Sequence, residues 1–235
     1  MIALTRISFI FFALCCSACF ALAQSDSVRL SPDNDNFRLF IAPTSLTLPA
    51  NHGSVQLAEL SVPCVNYGII DELIVRGGIT PFTISGHSLY FGMLGLQVFD
   101  YSGFTGVGGV AFTDITGESR NWEPALYGFG VIGYSTSKFG VFTGFGGGYS
   151  SSRESNSAIF MVGGEYSISA HNTLVSENWF VSETGVDAFS IGIRIFGKTL
   201  SGEFGIVGIT EEHSLKISTV APWISLSYHF DTSEE

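Results

Sequence analysis

Charge is scarce in this 235-residue chain. Only 13% of its residues are charged, and 10 Lys and Arg face 21 Asp and Glu, a net −11. So thin a basic complement excludes nucleic acid as a partner, because binding to phosphates takes a basic surface. Cysteine is scarcer still. Of the 4 in the chain, Cys15, Cys16 and Cys19 fall near the N-terminus, which leaves Cys64 alone in the remainder. A lone thiol closes no internal disulfide, so covalent staples do not hold the fold. After residue 23 there is no apolar run long enough for a transmembrane helix. His52, His87, His171, His213 and His229 are scattered without metal-ligand spacing or partner cysteines, so neither a metal nor a cofactor is expected.

What is present starts with a leader. "MIALTRISFIFFALCCSACFALAQ" carries Arg6, an apolar run and the small residues Ala21 and Ala23 before Gln24. Residues 1–23 therefore read as a secretory signal peptide. Residues 24–36, with the acidic "SPDNDN", read as a flexible periplasmic tail; 37–230 form one domain, and "DTSEE" (231–235) is an acidic tail. The mean hydropathy of +0.35 is high for an exported chain with no spanning helix.

From residue 37 the chain divides into stretches of period-2 alternation, the mark of strands with two unlike faces. The candidates are 38–46, 54–65, 72–82, 88–99, 104–114, 125–135, 139–150, 158–169, 173–182, 188–197, 201–210 and 220–230. Each has the length of a tilted strand crossing a hydrocarbon layer. In 188–197, Phe189, Ile191, Ile193 and Ile195 share one face and Ser190, Gly192 and Arg194 the other. One face is aliphatic and aromatic; the other holds Gly, Ser and an occasional charge. A soluble barrel would wet its polar face with many charges, whereas a lumen needs few. Short turns at 68–71, 100–103, 136–138, 170–172 and 198–200 alternate with longer, more charged connections such as 115–124, 151–157 and 210–219. That alternation is the habit of outer-membrane barrels, with both termini periplasmic. The fold class expected is all-β, an antiparallel transmembrane up-and-down β-barrel of about twelve strands.

Glu59, Arg76, Glu165, Glu177, Arg194 and Glu203 each sit on the less apolar side of their strand. Charges at membrane depth are costly unless they pair or meet water inside. The set predicts a lumenal charge network, either salt bridges bracing a closed or narrow barrel or the lining of a polar pore; the brace is the reading favoured. Trp122, Trp179, Tyr90, Tyr127, Tyr134 and Tyr149 fall near strand ends, as interfacial girdles do. Gly128, Gly130 and Gly133 match G-x-G-x-x-G, but the match lies inside a strand with no helix behind it, so it is no dinucleotide site. Ser225, Ser227 and His229 are the one cluster that suggests a hydrolase, and no G-x-S-x-G elbow accompanies them. No catalytic residue is assigned. The alternatives are a barrel-embedded lipid hydrolase or acyltransferase, and a soluble periplasmic β-barrel binding a small apolar ligand.

Two stretches carry a resemblance. The strand "PWISLSYHF" ends on Phe230 and resembles the C-terminal signature of outer-membrane β-barrel proteins, whose terminal aromatic strand is read by the barrel-assembly machinery; "DTSEE" departs from that pattern, in which the aromatic comes last. Residues 38–82, with Asn66, Tyr67, Gly68, Asp71, Gly77 and Gly78 in "NYGIIDELIVRGG", resemble the opening of an uncharacterised family of bacterial outer-membrane barrel proteins. The resemblance implies a membrane barrel; the partners expected of such a chain are outer-membrane lipid and the barrel-assembly machinery, with a small solute or ion as possible cargo. It transfers no catalytic residue.

Overall fold

The computed structural model describes residues 34–79, 87–117, 125–150, 155–182, 187–210 and 217–233. Twelve strands follow in chain order: β1 (His52–Ala58), β2 (Val62–Ile70), β3 (Leu73–Ile79), β4 (His87–Tyr101), β5 (Phe104–Gly117), β6 (Ala125–Ser135), β7 (Phe139–Ser150), β8 (Ser155–Ser169), β9 (Asn172–Val181), β10 (Asp187–Phe196), β11 (Leu200–Thr210) and β12 (Ile217–Asp231). Each pairs antiparallel with its chain neighbours, and β1 closes on β12, from His52 opposite Asp231 to Ala58 opposite Ser225. The result is a closed all-β barrel, which leaves no sheet edge running its full height. No helix occurs among the described residues. The signal peptide and most of the 24–36 tail lie outside them, as do 118–124, 151–154 and 211–216 of the longer connections.

The alternation sorts side chains as the sequence predicts. Val75, Leu94, Val110, Phe145, Phe160, Ile191, Phe204 and Leu226 are exposed on the outer face, while Arg76, Glu177, Arg194 and Ser225 are buried inside. Packing along the wall depends on a repeated pairing. Gly53, Gly92, Gly106 and Gly208 stand directly opposite Phe230, Phe112, Phe99 and Phe189. In each case the ring lies where a Cβ would be. An aromatic thus covers the bare backbone of its cross-strand glycine and recovers contact the glycine cannot make. Phe230 does this at the β1–β12 seam.

Two expectations about the first strands need correction. Residues 38–46 are not a wall strand: Leu39, Phe40 and Ala42 are apolar because they are buried inside the barrel. Residues 54–65 are not one strand but the β1–β2 hairpin. The two differences offset each other, so the strand number is still twelve. The hairpin leaves little mark in the sequence because its turn has no Gly, Pro or Asn. Glu59 and Leu60 occupy the two central positions with φ of 51° and 52°, and the Ser61 N–H closes the turn on the Ala58 carbonyl at 3.0 Å. Two-residue hairpins of this kind normally use Asn-Gly, since a left-handed conformation strains other side chains. Glu59 is therefore at an exposed hairpin tip, not in the lumen.

Of the expected girdle aromatics, Tyr90 and Tyr149 are exposed on the outer face and Tyr134 packs on Phe104, ring centroids 4.7 Å apart. Tyr127 covers Gly148. Trp179 turns inward, its indole N–H donating to Glu177, and Trp122 lies outside the described residues.

The strain at the tip is testable. Leu60→Gly should stabilise the folded barrel by about 1 kcal/mol, the order of the cost of one left-handed non-glycine residue, as read by urea unfolding in lipid vesicles. Equal or lower stability would mean that Leu60 makes contacts outweighing its backbone strain.

Candidate functional site

The lumen is occupied by the chain's own N-terminal segment. It enters at the rim where the short turns lie: the Asn34 side chain donates to the Lys198 carbonyl at 3.0 Å, in the β10–β11 turn. The segment then folds back on itself. Arg38 bridges Pro43, the Leu39 N–H donates to the Ala42 carbonyl at 2.9 Å, and the Thr44 N–H to Phe37 at 2.9 Å. Phe40 and Ile41 form the inner tip. The return arm passes Thr105 of β5, which Ser45 contacts through its hydroxyl, and Gln97 of β4, to which the Thr47 hydroxyl donates at 2.9 Å. It reaches β1 after the Ala50 N–H has donated to the Asp71 carboxylate at 2.8 Å.

Four carboxylates and three arginines, from wall and plug together, fix this segment. Glu203 on β11 accepts from Arg194 Nε at 2.8 Å and, through both oxygens, from Arg38 Nη1 at 3.0 and 2.9 Å. All three are fully buried. Arg38 also pairs with Asp35 at 3.1 Å, so two carboxylates face it. Arg194 reaches beyond Glu203 to the plug backbone, donating to the carbonyls of Arg38 at 2.8 Å, Leu39 at 2.9 Å and Asp35 at 3.2 Å; Glu165 stands 3.7 Å away. One arginine thus comes from the wall and one from the plug, and a single acid holds both. Charge-assisted bonds of this kind are about twice as strong as neutral ones. Ser225 completes the Glu203 shell, donating to it at 2.8 Å.

Glu177 on β9 holds the tip. One of its oxygens accepts the backbone N–H groups of Phe40, Ile41 and Ala42 at 2.9, 3.0 and 3.1 Å. Three donors converge on one carboxylate oxygen, which both satisfies buried amides and stabilises the anion. Arg76 on β3 donates to the Ile41 carbonyl at 2.9 Å, its guanidinium 5.9 Å from the Phe91 ring centroid, within cation–π range. Around these bonds Leu39, Phe40 and Ala42 pack on Val131, Phe142, Met161, Val175 and Trp223 from the wall. The lumen therefore has an apolar core of its own. On the plug itself, burial pushes the Asp35 carboxyl up, but Arg38, the His229 hydrogen bond and Arg194 outweigh it and hold the group well below the usual carboxylate range.

Of the six charges picked from the sequence, Arg76, Glu165, Glu177, Arg194 and Glu203 come together inside, and Glu59 does not. Asp35 and Arg38 join them without having been picked, since the first falls in the apparent tail and the second in an apparent wall strand. The turn motif also proves to serve the plug. Gly68 lies within β2, not at a turn, and the Leu48 and Pro49 carbonyls sit where its Cβ would be. Asp71 binds Ala50, the Tyr67 hydroxyl meets Thr232 at 3.1 Å, and the Asn66 amide donates to Ser54 at 3.0 Å. Gly78 lies beneath the Phe91 ring, and Gly77 has no such cover. Gly133 and Gly163 make similar room for Ser45 and Leu39.

His229 is close to Ser201, at 3.1 Å, and to Asp35, at 3.5 Å, with Ser201 also bonded to Asp35. Both contacts use the same ring nitrogen, Nε2. A hydrolytic triad places its acid on one nitrogen and its serine on the other, so this cluster ties the plug to the wall without the geometry of a charge-oriented base. Ser227 is taken up by Arg38, which donates to it at 3.3 Å.

Solved structures of similar fold include a porin. The KdgM porin in complex with disordered oligogalacturonate aligns with a TM-score of 0.54 at 9% identity, over 76% of this chain and 98% of that one. Another KdgM porin structure gives 0.49 at 10% identity, over 76% and 98%. OccK8 (OprE) of Pseudomonas aeruginosa gives 0.43 at 9% identity, over 73% and 57%. At these identities the likeness is one of fold: a closed antiparallel β-barrel of porin type. No protein-family model matches the sequence, and no curated protein matches it significantly.

Removing a partner from a buried ion pair leaves an uncompensated charge, at a cost of about 3–5 kcal/mol. Arg194→Ala should lower the barrel's unfolding free energy by that order in a chemical melt. A loss below about 1 kcal/mol would place Glu203 in screening water and contradict the burial seen here.

Proposed function

We propose that this protein is an integral outer-membrane barrel of structural or narrow-pore type, held closed by its own N-terminal segment and braced by a salt-bridged lumen. The observation that carries the reading is the fully buried Arg38–Glu203–Arg194 triad, which ties residues 35–39 to the wall where a porin would hold water. The continuous apolar outer face supports the membrane setting, because so large an exposed apolar area on a soluble barrel would drive association. On this reading the short turns and both termini are periplasmic, and Phe230 serves as the aromatic of the assembly signal.

The reading is non-enzymatic, and the single-nitrogen contacts of His229 favour that over a lipid hydrolase. Nor does the ligand named for KdgM suit this lumen. An anionic sugar chain needs cations free to meet it, whereas Arg38 and Arg194 are engaged with Glu203 and with plug carbonyls. A small solute or ion passing beside the plug is the cargo this reading allows.

Conductance in planar bilayers tests it. The intact protein should give small or no current steps, and deletion of residues 34–44 should raise the step size severalfold, with an ion preference set by the newly uncovered Glu177 and Glu203. Open-porin steps from the intact protein, unchanged by the deletion, would overturn the plug.

A further inference from the structure

The barrel wall is not level. β1 has 7 residues, against 15 in β4, β8 and β12. Pairing between β12 and β1 ends at Ser225 opposite Ala58, yet β12 continues back to Ile217 on its β11 side. From Ile217 to Ile224, β12 is bonded only to β11 among the described residues. Above the β1–β2 tip the β12 edge from Ile217 to Ile224 has no strand partner among the described residues, which leaves a notch in the described wall.

The residues along that edge fit an opening and not a missing partner. Ile224 is the first residue of β12 beyond the pairing with β1, and its backbone N–H faces the hairpin side. The backbone nitrogen of Pro222, two residues away, faces the same side and has no N–H to leave unsatisfied. A proline in mid-strand is tolerated only where its missing donor would face no neighbour.

On the lumenal side of this edge the barrel wall is apolar. On the long-loop side of the plug, Val62, Phe91, Phe129, Trp179 and Val207 line the lumen. Each is only partly buried, packed on one side against the core formed with Leu39 and Phe40. None is charged, and the plug tip closes the lumen below. A ligand entering here meets hydrocarbon-like walls and goes no further. The charged group at the tip of the hairpin is Glu59, on a chain of net −11, which disfavours an anionic head.

We propose that the notch above the β1–β2 hairpin admits the tail of a single-chain amphiphile with an uncharged head from the surrounding lipid into the lumen lined by Val62, Phe91, Phe129, Trp179 and Val207. This rests on the outer-membrane reading above. That reading is checked separately by fractionation with outer membranes and by a heat-dependent shift in gel mobility, neither of which depends on ligand.

The test uses the full-length protein in phosphatidylcholine nanodiscs, in a Trp122→Phe background that leaves Trp179 and Trp223, both lumenal, as the fluorophores. The probe is a chain-brominated long-chain alcohol, since bromine quenches tryptophan on contact. Quenching should saturate at low probe content. Val207→Phe, which fills that part of the lumen, and Val207→Asp, which charges it, should each demand about tenfold more probe, equivalent to about 1.4 kcal/mol; either variant suffices if the other fails to fold. Quenching that rises linearly with probe and is the same in all proteins would overturn the proposal. So would a dimer in the discs that is not quenched, because a second copy would then cover the notch.

Discussion

A single buried carboxylate, Glu203, sits between two arginines that come from different parts of the chain. Arg194 belongs to the wall and Arg38 to the segment inside it. Neither arginine could be buried alone, because an unpaired charge out of water costs several kcal/mol. Each therefore depends on Glu203, and through it the plug depends on the wall. The rest of the interior follows from that constraint. With Arg38 held, the chain must double back within a few residues, which presents the Phe40, Ile41 and Ala42 amides to Glu177. The apolar tip then meets Phe142, Met161 and Trp223.

The barrel thus has two apolar surfaces with different tasks. The outer one is a broad band of exposed Leu, Ile, Val and Phe. The inner one is a small core resembling that of a soluble protein, closed by a peptide instead of a second sheet. Close approach between plug and wall is possible because the wall is bare at the points of contact. Gly68, Gly133 and Gly163 lie under Leu48 and Pro49, Ser45 and Leu39 respectively. Gly53, Gly92, Gly106 and Gly208 are instead covered by aromatics from the next strand, so the same residue type takes cover along the wall and gives clearance to the plug.

Most of the wall is legible in the sequence because a period of two, once one face is buried, fixes which residues point inward. Parity alone places Arg76, Glu165, Glu177, Arg194 and Glu203 on the inner face. It fails where the chain departs from a strand without saying so. Glu59 and Leu60 turn the chain back with side chains that ordinarily avoid positive φ, so the alternation of 54–65 reads as unbroken. Residues 38–46 carry apolar side chains for burial against a lumenal core, which no local pattern distinguishes from burial in lipid. One signal is available: Arg38 stands between Phe37 and Leu39 in a stretch otherwise suited to a membrane face. The partnership of Asp35 and Arg38 with residues some 160 positions on has no local trace at all. Gly68 and Asp71 both have the character of turn formers, and only Asp71 lies in the turn; the demand on Gly68 comes from the backbone of a segment about twenty residues earlier.

The account stands on residues 34–44 being inside the barrel, against β8. The double substitution Leu39→Cys with Gly163→Cys reports on this directly, in a Cys64→Ser background within isolated outer membranes, because the Leu39 side chain reaches the place of a Gly163 Cβ. Mild oxidation should join the two introduced thiols nearly completely in the folded protein, visible as a mobility shift that reductant reverses. Two free thiols, both open to a water-soluble maleimide under the same conditions, would mean that the segment lies outside and that the lumen is empty.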